Sequence, residues 1–118
     1  MKREEITAKW AELGARERDA WIAEAVFGWE RTNGIIDAIL PQYTTDISAA
    51  WALVDKSAEF GGMSVSFTCS RNGARRYTVE TYANGVAFVV AAGSTAPEAI
   101  GLASIIAALT EVSADVAV

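Results

Sequence analysis

The chain has 118 residues, 52% of them hydrophobic, and a net charge of −5, which bounds it to one acidic domain with enough apolar side chains for a core. That balance argues against disorder and against bulk nucleic-acid binding, which needs many Lys and Arg contacts to phosphate. There is no histidine and a single cysteine, Cys69, so the commonest general base, a Cys/His metal site and an internal disulfide are all excluded.

Residues 3–13 read as a short helix with Ile6, Trp10 and Leu13 on one face, ended by Gly14. Residues 16–27 predict a second helix, with Trp21, Ile22, Ala25 and Val26 as its apolar stripe and Gly28 as its stop. Thr32-Asn33-Gly34 carries a hairpin signal. Residues 37–45 read as irregular, because Pro41 blocks a helix passing through it. A helix from about 46 to 60 is expected to bury Ile47, Ala50, Trp51, Val54 and Ala58, and Gly61-Gly62 ends it.

The strict alternation of Met63 to Cys69 marks a half-buried strand, with Cys69 as a core thiol and Ser64, Ser66 and Thr68 turned outward. Arg71 to Arg75 turns the chain, Tyr77 to Tyr82 forms a second strand, Asn84-Gly85 is a hairpin turn, and Val86 to Ala92 is a third strand, apolar on both faces. The last helix, about 96–110, is apolar nearly all round, as in a helix covered on more than one side. The fold class is therefore α+β. A three-stranded antiparallel meander has helices before and after it, sandwich-like, in a single domain over residues 1–118 with a core at about 16–110. A second copy of the chain would supply further cover, so a homo-oligomer is expected. The charged start of the chain lacks a signal-peptide core and no run spans a bilayer, so the expected location is cytoplasmic, without membrane contact.

Two helix starts are the candidate functional features. Pro41-Gln42-Tyr43-Thr44-Thr45-Asp46 offers three consecutive capping-type residues, of which one suffices as N-cap. The other two, with Tyr43 beside them, are either ligand contacts or packing. Thr95-x-x-Glu98 fits a capping box with Pro97 in the first turn. The free N–H groups of such starts favour an anion. Arg71, Arg75 and Arg76 concentrate positive charge on one hairpin, either as a solvated tip or as countercharge to phosphate or carboxylate. Trp29, just past a helix end, is open to stacking on a ring. No catalytic set or metal-ligand cluster appears, so no enzyme, no cofactor and no metal are expected.

Ala25-Val26-Phe27-Gly28-Trp29, Tyr43-Thr44-Thr45-Asp46-Ile47-Ser48-Ala49-Ala50-Trp51 and Thr95-Ala96-Pro97-Glu98-Ala99-Ile100 together resemble the phage ABA sandwich domain family, over about residues 16–110. Phe27 stands where that pattern has Met and Thr44 where it has Ser, and residues 30–40 depart further. The resemblance implies an α/β sandwich of phage origin and no agreed activity. By analogy with other small phage proteins, the expected function is a non-enzymatic binder of a small anionic ligand, such as a nucleotide immune signal of the host cell, sequestered as an anti-defence sponge. Its ligand-binding residues would be Trp29, Tyr43, Thr44, Thr45, Asp46, Arg71, Arg75, Arg76 and Thr95. The alternative is a protein–protein interaction module that acts on a host or phage protein through an apolar helix face.

Overall fold

A computed structural model describes residues 1–30, 39–83 and 86–110. Helices α1 (Arg3–Glu12), α2 (Ala15–Phe27) and α3 (Ile47–Ser57, continued by the 3-10 turn Ala58–Phe60) precede strands β1 (Met63–Cys69), β2 (Arg75–Ala83) and β3 (Val86–Gly93), and α4 (Ala96–Leu109) follows. The strands form one antiparallel sheet in the order β1-β2-β3. The α+β meander expected from the alternation of β1 and the β-branched and aromatic residues of β2 is thus present. The Asn33-Gly34 and Asn84-Gly85 turns lie outside the described residues.

The helix ends follow local chemistry. Gly28 takes the left-handed conformation at φ 72° that closes α2, and the Trp29 N–H donates to the Ala23 carbonyl at 3.0 Å. After α3 the chain presses against β2: a Cβ on Gly61 would stand 2.5 Å from the Tyr82 carbonyl oxygen, with φ at +118°. Only glycine fits there.

Helix α4 is the middle of the molecule. It packs against β2 and β3 and also against α1, α2 and α3. Every residue from Ala99 to Ile106 is buried. Ser104 is tolerated because its hydroxyl donates to the Ile100 carbonyl at 2.8 Å. The all-round apolar character of this helix is therefore met inside the chain, and the helix itself calls for no second copy. Gly101 makes the close approach possible. A Cβ there would lie 2.9 Å from Ile22 Cδ1 and 3.0 Å from the Trp10 ring.

The sheet turns one face to α4. Val79 is fully buried and Met63, Val65 and Tyr77 pack on the core, while Ser66 and Thr68 are exposed. The pairing of β2 with β3 shifts between Val79 and Glu80, so that Val79 faces Ala91 and Glu80 faces Val89. Val90 is the extra residue of this bulge. Both Val90 and Ala91 are buried, and the Val90 carbonyl accepts from the Arg3 guanidinium of α1.

Two expectations about the core are corrected. Cys69 is exposed rather than a core thiol, because it ends an edge strand whose last four residues are all exposed. Trp51 and Ile47 are also exposed, as is Ala58. Helix α3 instead buries Ala50, Leu53 and Ser57. Small Ala50 and Ser57 let α3 lie close on α4, where an indole would hold the two helices apart.

Candidate functional site

The start of α3 is built around a buried carboxylate that composition did not single out. Asp19 on α2 is fully buried. Its Oδ1 accepts from the Thr44 N–H at 2.9 Å and from the Thr44 hydroxyl at 2.8 Å. Its Oδ2 accepts from Arg16 Nη1 at 3.0 Å, and Arg16 Nη2 donates to the Leu40 carbonyl at 3.1 Å. This network ties α2 to the segment that leads into α3. It satisfies every polar group it buries, as a low-dielectric interior requires.

Thr44 is thereby consumed. It is 3% exposed, and both its N–H and its hydroxyl are engaged by Asp19. Tyr43 is equally withdrawn: it is 4% exposed, and its ring stacks on Phe27 with centroids 5.6 Å apart. Of the three capping-type residues, Asp46 is the N-cap, its Oδ1 accepting from the Ser48 N–H at 2.9 Å. Thr45 is left exposed. Trp29 is half-buried and packs on the core.

Burial, and after it the Asp19 carboxylate, raise the Tyr43 phenol above its ordinary pKa. A raised folded-state value leaves stability intact below the unfolded value of about 10 and erodes it as pH climbs through the folded value. Urea melts between about pH 9 and pH 11 should therefore show wild type losing more stability than Tyr43→Phe. Parallel losses in the two proteins would place the phenol in solvent.

At the start of α4 one half of the expected capping box is present, and the carboxylate half goes to Ser94 instead. Thr95 Oγ1 accepts from the Glu98 N–H at 3.3 Å, and the Glu98 carboxylate accepts from the Ser94 hydroxyl, also at 3.3 Å. The arginine hairpin is a tight turn in which Ser70 N–H donates to Ala74 O and Gly73 N–H to Ser70 O, both at 2.9 Å. Gly73 takes φ 84°. Arg71, Arg75 and Arg76 are all exposed. Because Tyr77 pairs with Gly93, the hairpin and Thr95 share one end of the sheet.

The start of α3 and the start of α4 are offset along α4. Thr44 Cγ2 lies 3.5 Å from the position of a Cβ on Gly101, six residues into α4 from Thr95 and about 9 Å along its axis. Arg75 and Arg76 are consecutive strand residues, so they project from opposite faces of the sheet. Within one chain, then, Tyr43 and Thr44 are buried and Arg75 and Arg76 do not share a face, so the expected ligand contacts of these four residues are not assembled as a set.

What the sequence reading missed is an exposed apolar pair. Ile47 and Trp51 are 49% and 52% exposed, one turn apart on the same side of α3. Ser48, Ala52 and Asp55 beside them are exposed as well. Among the described residues, no group of three or more His, Cys, Asp or Glu could hold a metal ion, and no helix is long and apolar enough to cross a membrane.

A search of curated proteins and a search of solved structures each return no match. The family model described as the phage ABA sandwich domain matches residues 20–105. That range begins within α2, one residue after Asp19, and runs through α3 and the whole sheet into the last turns of α4. The chain belongs to the phage ABA sandwich domain family.

Proposed function

We propose that this domain is a non-enzymatic interaction module that docks onto a host or phage protein through the outward face of α3. The observation behind this reading is the exposure of Trp51 beside Ile47, on a helix whose opposite side already supplies the core. A half-exposed tryptophan costs solubility, and tryptophan is the residue type most enriched among side chains that carry binding energy at protein interfaces. Its neighbours Ser48 and Ala52 are small, which leaves the indole accessible to a pocket on a partner. The test compares wild type with the double variant Ile47→Ser, Trp51→Ala as bait in phage-infected cells. The variant should keep the wild-type far-ultraviolet spectrum and lose the partner that wild type recovers. Equal recovery by both proteins would remove α3 from the interface.

A second reading rests on the shared sheet end of the arginine hairpin and Thr95. A small anionic ligand such as a nucleotide, held there and sequestered from a host signalling pathway, would meet Arg75 or Arg76 together with the N–H groups that open α4. Only one of the two arginines can serve it, since they project to opposite faces. Calorimetry against a panel of nucleotides and cyclic nucleotides should then show one single variant, Arg75→Ala or Arg76→Ala, weakened by about 1–3 kcal/mol per charge-assisted bond, and the other unchanged. Absence of binding by wild type would leave the hairpin as a solvated tip.

A further inference from the structure

The two edges of the sheet are treated differently. At β3 the ladder is broken by the bulge at Val90, and the Val90 carbonyl is occupied by Arg3. Bulges and side-chain cover are the usual ways of protecting an edge. Among the described residues, strand β1 has neither. Over Met63–Cys69 it carries no charge, proline or glycine, and it keeps an uninterrupted register with β2 from Met63↔Thr81 to Cys69↔Arg75. Among the described residues no strand pairs with its other side. A long, uncharged, regular edge is a template for another strand.

The hairpin fixes which backbone groups are open. Ser70 N–H donates to Ala74 O, so even-numbered residues of β1 bond to β2. Alternation leaves the N–H and C=O of Met63, Val65, Phe67 and Cys69 on the free edge. These same residues turn their side chains to the α4 side of the sheet, where Phe67 is 52% exposed against Tyr77, ring centroids 4.9 Å apart. The free edge and the uncovered aromatic therefore coincide.

We infer that β1 is a self-complementary edge, and that two copies of this chain join antiparallel through it about a two-fold axis at Ser66, which extends the sheet to six strands. The register with the greatest overlap sets Val65 against Phe67 of the partner subunit, Met63 against Cys69 of the partner subunit and Ser64 against Thr68 of the partner subunit. Every free donor and acceptor of the odd-numbered residues then meets its counterpart, because a pairing centred on an even residue matches odd with odd. Apolar side chains meet apolar ones on one face and hydroxyls meet hydroxyls on the other. Phe67 gains the cover that its own chain does not give it. Slipping by one residue would set apolar against polar throughout and would leave the free N–H groups facing none.

Ser66 sits on the axis in a pair that is not hydrogen-bonded, where Cα atoms approach to about 4.5 Å, inside the range a disulfide spans. The full-length variant Cys69→Ser, Ser66→Cys should form a covalent dimer on mild oxidation. The control Cys69→Ser, Thr68→Cys should not, because the two position-68 residues stand about 14 Å apart along the strands in this register. Light scattering should give wild type twice the 12.5 kDa chain mass. Ser66→Lys, which opposes two ammonium groups on the axis, should return the chain mass with an unchanged far-ultraviolet spectrum. A wild type at the chain mass, equal crosslinking from positions 66 and 68, or a folded Ser66→Lys dimer would each overturn the proposal. If Ser66→Lys does not fold, the crosslinking pair decides alone.

Discussion

Asp19→Ala is expected to destabilise the fold by about 2 kcal/mol, because it leaves the buried Thr44 N–H without an acceptor, at about 1–3 kcal/mol for an orphaned group, and leaves the Thr44 hydroxyl only its longer 3.3 Å bond to the Ala15 carbonyl. The carboxylate is fully buried, and both Thr44 donors converge on one of its oxygens at 2.9 and 2.8 Å. Arg16, whose side chain is 45% exposed, can turn to water when its partner is lost, so it adds little to the cost. Thr44→Val removes the hydroxyl, keeps the methyl that reaches Gly101, and should cost about 1 kcal/mol. The double variant should cost less than the sum, since the two side chains share the bond that each single change breaks. Urea denaturation followed by circular dichroism measures all three. An Asp19→Ala midpoint equal to wild type would mean that the segment before α3 is not held by α2.

The second large effect separates two tryptophans that sequence alone treats alike. Trp21 is 6% exposed, with the Lys9 ammonium 4.3 Å from its ring centre, and Trp21→Ala should cost about 3–5 kcal/mol through the cavity it leaves. Trp51→Ala should cost less than about 1 kcal/mol, as exposed substitutions do, and alanine has the better helix propensity. A Trp51 buried on the apolar face of its helix would outweigh any cap; with Trp51 exposed, Thr95→Ala, at about 1 kcal/mol for a lost cap, should match or exceed Trp51→Ala. Equal losses for Trp21→Ala and Trp51→Ala would return Trp51 to the core.

The secondary structure was largely legible because its signals are local. Alternation from Met63 marks β1 to the residue, Gly28 and Gly61 stop helices as their positive φ requires, and Thr95 with Glu98 announces α4. The facing of α3 was not legible. Its sequence carries two overlapping stripes, one through Ile47, Ala50 and Trp51 and one through Ala50, Leu53 and Ser57, and side-chain size favours the first. The choice is made by α4, whose close approach accepts alanine and a serine that bonds the Val54 carbonyl.

The burial of Tyr43 and Thr44 was not legible for a related reason. Tyr43-Thr44-Thr45-Asp46 looked oversupplied with polar groups for a single cap. The surplus goes to Asp19, 25 residues earlier in the chain, and no spacing rule links the two. An aspartate directly before Ala20-Trp21-Ile22 was the one available signal, because a lone carboxylate in an apolar run needs a buried partner. The exposed positions of Arg71, Arg75 and Arg76 follow from a hairpin tip, as their sequence implied.

The outward face of α3 is the proposed docking surface, and site-specific photocrosslinking reads that surface directly. A photoreactive residue placed at position 51 should give a covalent adduct with a partner protein in infected cells. The same residue at position 71, on the hairpin at the far end of β1, should give none. Adducts from position 71 with none from position 51, or none from either, would contradict the assignment.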